Sequence, residues 1–508
     1  MQTSPQNGAA YRPDIDGLRA IAVLAVVFYH AAIPGFSGGF VGVDIFFVIS
    51  GYLITRIIWI ESNTGAFSLP GFYIRRIKRI FPALFALLFI SSMAAVILLV
   101  SSDLLQYGKL LTGVVLFFAN FALIKQSNYF DAPAADKPLL HTWSLSVEEQ
   151  FYAAWPLILL LLKNNISRRN TLYVIAGLAV ISLVLAEARL PDYQKDAFYL
   201  PWCRAWELLL GAFLAINQLS LHPGRFADSL SMTGICGIGF AIALYDGSTP
   251  FPGLAALLPC MGATLIVAAG NSSNPVSRFL SWGPLRFVGL ISYSLYLIHW
   301  PLFSFSRLYF GEELAPPFRG ALVVISFALA SLSWRFVEKP WRAAKFSNWR
   351  TFSMAVAAMG CFCICGYWFT SSGGLPFRLH EKVLKVEALT NDIAKYCRAL
   401  DIPEGRGGLA CELGAPSIAG YDFVLWGDSH AYHFAPAIHK LAERRDLSGV
   451  LFTRWGCHPF LNDPHTSKDC QKFNALVASW IDRNPIKLAI LGGRWTNHDK
   501  YLRQSVER

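Results

Sequence analysis

Long apolar runs recur through about the first 370 residues of the chain and then stop. Runs of about 20 residues with few charges predict transmembrane helices. The pattern therefore predicts a polytopic helical membrane domain followed by a domain of different composition. The apolar runs are residues 18–34, 40–60, 80–100, 106–124, 147–163, 171–187, 203–218, 231–246, 252–270, 287–309, 319–337 and 351–370.

Lysine and arginine cluster in three stretches between these runs, residues 61–79, 163–170 and 338–350. The positive-inside rule places all three stretches on the cytoplasmic side. Three runs separate the first two stretches, although a return to the same side needs an even number of crossings. The run at 106–124 contains Lys109 and is therefore predicted to be re-entrant or interfacial. This predicts a ten-span core and an eleventh helix, with a cytoplasmic amino terminus and the carboxy-terminal domain outside.

Composition agrees with a membrane protein, since 54% of the residues are hydrophobic and 15% are charged. The formal net charge of +11 would suit nucleic-acid binding in a soluble protein. Because the cations lie mainly in short stretches between apolar runs, membrane orientation explains the excess better. We therefore predict no nucleic-acid partner.

The carboxy-terminal part contains four of the ten cysteines, Cys397, Cys411, Cys457 and Cys470. Their spacing matches neither a zinc site nor a CxxC redox motif. An even number of cysteines in a small domain predicts two disulfides in an oxidising compartment. Pairing of Cys397 with Cys411 and of Cys457 with Cys470 is one of three possible connectivities. Disulfides would agree with a domain outside the cytoplasm.

Two ionisable residues share one face of the first apolar helix. Arg19 and His30 are eleven residues apart, which is about 20° beyond three turns and about 16 Å along the axis. Ionisable groups at membrane depth are costly and are therefore functional candidates. Each has a structural alternative, an anchor for Arg19 and a bond to a neighbouring helix for His30. Because histidine exchanges protons near neutral pH, we predict that His30 is a general base.

A basic cluster at the predicted cytoplasmic edge, FYIRRIKRIFP, contains Arg75, Arg76 and Arg79. One explanation is a topology signal alone. The other is a phosphate clamp for a polyanionic donor, which arginine suits through its bidentate geometry.

Further polar groups lie at the ends of apolar runs or inside them. The stretch LLHTWSLSVEEQFY suits either helix capping or an outward-facing acceptor site. The i,i+3 spacing of Arg204 and Glu207 predicts an internal ion pair. His299 in YSLYLIHWPL is a second intramembrane histidine with the same two explanations as His30, but no cation is aligned with it. The candidate substrate-binding residues are Asp44, His141, Glu148, Glu149, Arg204 and Glu207.

The carboxy-terminal part alternates short apolar runs with helical periodicity after the linker SSGGLPFR, which predicts a parallel α/β sheet. The sequence Gly427-Asp428-Ser429-His430 follows the first of these strands. The predicted strands are 422–426, 449–452 and 488–491, and the predicted helices are 432–443 and 475–481.

Taken in chain order, the Arg-x10-His spacing, GVDIFFVISGYLI, FYIRRIKRIFPAL, LLHTWSLSVEEQFY and YSLYLIHWPL closely resemble acyltransferase family 3 over about residues 11–345. The resemblance implies an integral membrane enzyme that moves acyl groups, usually acetyl from acetyl-CoA, to extracytoplasmic glycans. It requires no metal. It implies that His30 is catalytic with Arg19 as its motif partner. The donor-side contacts that it implies are Arg75, Arg76 and Arg79.

The GDSH sequence after a strand resembles block I of the SGNH hydrolase and transferase superfamily, with Ser429 as the nucleophile. The fused arrangement resembles O-acetyltransferases of lipopolysaccharide O-antigen and, more distantly, of peptidoglycan. The superfamily's Asp-x-x-His does not follow Ser429 in this sequence, so we expect a partial domain, truncated at its carboxy terminus. Candidate oxyanion donors are the Ser429 amide, Gly456 and Asn497.

These observations predict a membrane domain at 1–345, an eleventh helix and linker at 346–378, and an SGNH-like domain at 379–508. The predicted location is the bacterial inner membrane. The predicted reaction is transfer of an acyl group from cytoplasmic acetyl-CoA to a cell-surface glycan, free or lipid-linked. Two alternatives are a transporter that makes no bond and an esterase with a membrane anchor.

Overall fold

The computed structural model describes residues 11–126, 136–218, 224–270, 274–311, 314–384, 398–400, 408–416, 420–454, 456–461 and 468–493. The chain divides into two compact units, residues 1–374 and 375–508. The first unit is helical and the second is an α/β unit.

The first unit is built from helices of very different lengths. Short 3-10 helices at Gly39–Val41 and Leu254–Ala256 and a π-helix at Trp334–Glu338 adjoin the longer elements. The α-helices are α1 (Pro13–His30), α2 (Gly42–Asn63), α3 (Leu69–Leu98), α4 (Ser101–Val115), α5 (Ala119–Lys125), α6 (Thr142–Asn165), α7 (Arg168–Arg189), α8 (Gln194–Tyr199), α9 (Pro201–Asn217), α10 (Arg225–Leu244), α11 (Leu257–Ala269), α12 (Pro275–Leu280), α13 (Gly283–Phe310), α14 (Pro316–Ser333), α15 (Lys339–Ala343) and α16 (Asn348–Ser371).

Eight helical stretches within the described ranges are long and apolar enough to cross a membrane. They are α2, α3, α6, α7, α10, α13, α14 with its continuation to Ala343, and α16. The runs predicted at 18–34, 203–218 and 252–270 form α1, α9 and α11, which are 18, 17 and 13 residues long. The polytopic helical class is confirmed, and the count of ten spans plus one stays a prediction.

The basic cluster lies within a helix, although the sequence analysis places residues 61–79 between two apolar runs. Helix α3 begins at Leu69, where the Ser68 hydroxyl accepts a hydrogen bond from the Gly71 amide at 3.3 Å. A serine cap followed by Pro70 in the first turn is a strong helix start. The helix therefore begins before the apolar run, and its first turns carry the arginines.

The segment predicted not to cross the membrane is interrupted in the structure. Helix α4 has 15 residues, about 22 Å at 1.5 Å per residue, which is shorter than the apolar thickness of a bilayer. It ends near Phe117, which adopts a φ of +57°, and α5 begins at Ala119. This segment is not among the candidate spans of the described residues, as predicted.

Glycines allow the helices at the centre of the first unit to approach closely. A Cβ at Gly51 on α2 would lie 1.8 Å from the carbonyl oxygen of Leu208 on α9. A Cβ at Gly289 on α13 would lie 1.9 Å from the carbonyl oxygen of Asp16 on α1. Small residues of this kind are typical of close helix contacts in membranes. They bring α1, α2, α9 and α13 together around the polar side chains described below.

The second unit has a five-stranded sheet in the order β1-β2-β4-β3-β5. Strands β4, β3 and β5 are parallel, as predicted, whereas β1 and β2 join antiparallel at one edge and were missed. The short stretch LACELG forms a strand because it pairs with β4. This pairing cannot be recognised from the sequence alone. Lys487 donates to Asp422 at 2.8 Å and holds the pKa of that carboxyl below its usual value. The elements are β1 (Arg398–Ala399), β2 (Leu409–Gly414), β3 (Phe423–Gly427), α17 (Ser429–Arg444), β4 (Ser448–Thr453), α18 (Lys468–Arg483) and β5 (Leu488–Gly492).

Candidate functional site

The polar residues of the first unit line two neighbouring cavities. The arginine cavity, of about 90 Å³, is lined by Arg19, Arg76, Arg79 and Glu148 among others. The histidine cavity, of about 570 Å³, is lined by a different set of polar and aromatic side chains. Its lining includes His30, Asp44, His141, Arg204 and Trp300.

Three arginines and one carboxylate line the arginine cavity, and Arg19 also pairs with Asp16 at 3.4 Å. Arg76 and Arg79 are three residues apart on α3 and therefore share a face, whereas Arg75 is turned about 100° away from Arg76. Glu148 accepts hydrogen bonds from the Ser50 hydroxyl and from Tyr152, each at 3.1 Å. The excess of positive charge suits an anionic ligand such as a phosphate.

Two predicted residues lie elsewhere than the prediction implied. Arg75 forms an ion pair with Glu61 at 2.8 Å and lines neither cavity. Glu149 lines a separate groove that also includes Arg76. Both differences follow from helix geometry, since each residue is one position from a cavity-lining neighbour.

His30, which lines the histidine cavity, contacts His299 on α13, which is not among the lining residues. The Nδ1 of His30 lies 3.0 Å from Nε2 of His299, and the Nδ1 of His299 lies 3.1 Å from the Leu295 carbonyl oxygen. The ring of Trp300 packs edge-on against His30, with centroids 4.5 Å apart. His141 is 3% exposed, and neither of its ring nitrogens has a hydrogen-bond partner among the described residues. The cavity thus combines a paired and an unpaired imidazole.

A buried ion-pair cluster adjoins the histidine cavity. Arg204 donates to Asp44 at 2.9 Å and lies 3.2 Å from Glu207, so the predicted i,i+3 pair is present and has a third member. Four aromatic rings lie within 5.7 Å of its guanidinium carbon. Asp44, Glu207 and Cys260 offer three possible metal-ligand atoms within 4.8 Å of one another. Because Arg204 contacts both carboxylates, we describe the group as an ion-pair cluster.

Tyr296 separates the two cavities. It lines both of them, as does Val43. Its hydroxyl lies 2.7 Å from the Ser144 hydroxyl and donates to the His141 carbonyl oxygen at 2.9 Å. Of the two shared lining residues, Tyr296 is therefore the polar one.

Helix α1, and helix α6 with its N-cap residue, each contribute polar residues to the two cavities. Arg19 and His30 on α1 line the arginine and histidine cavities respectively. His141, at the start of α6, and Glu148 are seven residues apart, which is 20° short of two turns and about 10 Å along the axis. They also line the histidine and the arginine cavity. Glu148 was predicted beside His141 at an acceptor site, and the structure groups it with the arginines instead.

In the second unit, Ser429 is the first residue of α17 and is separated from strand β3 by Asp428 alone, at the strand-to-helix turn that the GDSH sequence predicts. The Asp428 side chain caps this helix by accepting from the His430 amide at 2.8 Å. The Nδ1 atoms of His430 and His458 lie 3.1 and 3.3 Å from the two Asp428 carboxylate oxygens. Sequence reasoning missed His458, although the loop that carries it is adjacent to a predicted disulfide.

The segment around Gly456 is held from two sides. Gly456 has a φ of +65°, and the next residue forms the Cys457–Cys470 disulfide, which belongs to one of the three connectivities left open by the sequence. Asn474 donates to the carbonyl oxygens of His458 at 2.7 Å and Phe460 at 2.8 Å. The other oxyanion candidate, Asn497, and the predicted disulfide partner Cys397 lie outside the described residues.

Family models match both units. The acyltransferase 3 model, described as an acyltransferase domain, matches residues 12–335. The chain belongs to the acyltransferase 3 family. A model of the SGNH domain that is fused to acyltransferase 3 domains matches residues 396–507. Both predicted resemblances are confirmed, and the chain is a membrane protein with an SGNH domain.

Curated relatives are identical to the chain at about a third of the aligned positions. Peptidoglycan O-acetyltransferase OatA of Listeria monocytogenes is 34% identical over 367 residues, which are 69% of this chain and 58% of OatA. YrhL of Bacillus subtilis, named "Putative peptidoglycan O-acetyltransferase", is 32% identical over 366 residues, 68% of this chain and 57% of YrhL. A Staphylococcus aureus protein of strain MRSA252 named "Putative O-acetyltransferase" is 33% identical over 365 residues, 67% of this chain and 59% of that protein. The chain spans about three-fifths of the length of these relatives, and no solved structure matches it significantly.

Proposed function

We propose that the chain transfers an acetyl group from acetyl-CoA to a hydroxyl of a cell-surface glycan. The observation that carries the proposal is the pair of neighbouring cavities that share Tyr296 in their linings, with cations in one and His30 in the other. The arginine cavity is the donor side, where Arg19, Arg76 and Arg79 bind phosphate oxygens. The histidine cavity is the side on which the acetyl group leaves.

His30 supplies the proton chemistry of transfer. It takes the proton from the attacking hydroxyl while that oxygen forms a bond with the acetyl carbon. The carbon–sulfur bond of the thioester then breaks, and the proton returns to the thiolate. In a two-step version His30 itself carries the acetyl group between donor and acceptor.

Ser429 accepts the acetyl group in a second transfer step. Its position at a strand-to-helix turn suits a nucleophile that receives the group and passes it to the glycan. The names of OatA and YrhL favour peptidoglycan as the acceptor, and lipopolysaccharide O-antigen is the second candidate.

The proposed location is the bacterial inner membrane, with the amino terminus in the cytoplasm and the SGNH domain outside. The basic stretches between apolar runs support this orientation through the positive-inside rule. The Cys457–Cys470 disulfide supports an oxidising compartment for the second unit.

The test is incubation of the purified chain with radiolabelled acetyl-CoA and either peptidoglycan fragments or O-antigen. We expect label on one glycan, and we expect His30→Ala to abolish labelling while leaving membrane insertion intact. A transporter would leave both glycans unlabelled, and an esterase would instead release acetate from an acetylated glycan. Normal labelling by His30→Ala would overturn the assignment of His30.

A further inference from the structure

His30 and His299 form a directed chain of hydrogen bonds. His30 is the last residue of α1, and His299 lies on α13 with 0% exposure. The chain runs from His30 Nδ1 to His299 Nε2 at 3.0 Å, and from His299 Nδ1 to the Leu295 carbonyl oxygen at 3.1 Å. Its last member is a backbone carbonyl, which only accepts hydrogen bonds.

The carbonyl determines where each proton lies. Since the Leu295 oxygen accepts, Nδ1 of His299 carries a proton. In a neutral imidazole the other nitrogen is then an acceptor, so Nε2 of His299 accepts from Nδ1 of His30. The remaining nitrogen of the neutral His30 ring, Nε2, therefore carries a lone pair and no proton.

The burial of His299 and the surroundings of both rings support the neutral state on which this assignment depends; His30 is half-buried. Within the described part of the chain, neither ring forms an ion pair with a carboxylate. A charged imidazolium at the buried His299 would lack a counter-charge and be costly, and two adjacent charged rings would repel each other. The edge-on ring of Trp300 also limits rotation of the His30 ring.

We propose that His299 is a positioning residue that fixes the tautomer of His30, so that His30 Nε2 is the free base of acyl transfer. The catalytic consequence rests on the proposed function, whereas the tautomer does not. When Nε2 takes the proton of the attacking hydroxyl, the positive charge that forms on His30 is stabilised by its Nδ1–H bond to His299. The same nitrogen is the one that attacks the thioester if His30 carries the acetyl group. His299 thus holds the place that an orienting carboxylate holds in a Ser-His-Asp triad.

The test measures the tautomer and the rate on the full chain in detergent. Histidine is labelled with 15N, and the His30 signals are assigned from the spectrum of His30→Gln. Nitrogen chemical shifts distinguish a protonated from an unprotonated ring nitrogen. The variants are His299→Leu, which removes the acceptor, and His299→Gln, whose amide can donate to the Leu295 carbonyl and accept from His30. The matched control is Ser304→Ala, since Ser304 is buried on the same helix and its hydroxyl has no hydrogen-bond partner among the described residues.

We expect an unprotonated His30 Nε2 in the unaltered chain, in Ser304→Ala and in His299→Gln. In His299→Leu we expect a mixture of tautomers and a fall in acetyl transfer on the order of 100-fold, at the lower end of what a general base contributes. A protonated His30 Nε2 in the unaltered chain would overturn the proposal, as would an unchanged tautomer in His299→Leu. An unprotonated Nε2 in a chain that transfers no acetyl group would support the tautomer assignment and refute the proposed function.

Discussion

Arg19 and His30 lie on one face of α1, yet Arg19 lines the arginine cavity and His30 lines the histidine cavity. A single helix face thus connects a permanent cation with a proton acceptor about 16 Å away. Tyr296 lies between the two cavities and contacts Ser144 and the His141 backbone. Under the proposed function, this arrangement gives the Arg19 end of the face a role in donor binding and the His30 end a role in proton transfer.

The arginine cavity predicts different effects for neighbouring arginines. Arg79→Gln removes a cavity-lining cation, and a hydrogen bond to a charged group contributes about 1.5–3 kcal/mol. We expect the KM for acetyl-CoA to rise about 10- to 100-fold. Arg75→Gln is the matched control, because Arg75 lines neither cavity and pairs with Glu61, and we expect little change. Equal effects of the two substitutions in steady-state kinetics would contradict the donor assignment.

The position of Tyr296 predicts that its ring keeps the two cavities apart. Tyr296→Ala removes the ring and joins the cavities, so water reaches the donor side and hydrolyses the thioester. We expect release of coenzyme A to exceed acetylation of the glycan. Tyr296→Phe keeps the ring and loses only the hydroxyl bonds, each about 1 kcal/mol, so release and acetylation stay coupled. Coupling is measured as the ratio of free thiol to labelled glycan, and an unchanged ratio in Tyr296→Ala would refute this role.

The sequence predicts which residues share a helix face better than it predicts which residues of different helices contact each other. The eleven-residue spacing places Arg19 and His30 on one face, and the GDSH sequence predicts the turn that carries Ser429. The contact between His30 and His299 joins α1 to α13, 269 residues apart in the chain. No periodicity within one helix displays such a contact, because it depends on how the helices pack. The same reason explains why the third member of the Arg204 cluster, Asp44, was not paired with it in advance.

The Arg204 cluster predicts an asymmetry between single and combined substitutions. Arg204→Met leaves Asp44 and Glu207 as buried carboxylates without their cation, and removal of one partner from a buried ion pair costs about 3–5 kcal/mol. We expect a large loss of thermal stability in detergent. The combined variant Arg204→Met, Asp44→Asn and Glu207→Gln removes all the charges and should recover most of that loss. A triple variant that melts no higher than Arg204→Met would contradict the ion-pair interpretation.

The disulfide of the second unit predicts that its loss makes the segment at residues 456–461 easier to cleave. Cys457 and Cys470 are 13 residues apart, and a disulfide that closes a loop of about this length stabilises by about 3 kcal/mol. Because Asn474 still holds the His458 and Phe460 carbonyls, we expect the Cys457→Ala and Cys470→Ala double variant to fold. We expect it to be cleaved faster by protease in this segment. Cys361→Ala is the control, since Cys361 is a free, exposed cysteine of the first unit. If the double variant is cleaved as slowly as the control and the unaltered chain, the disulfide does not hold the segment.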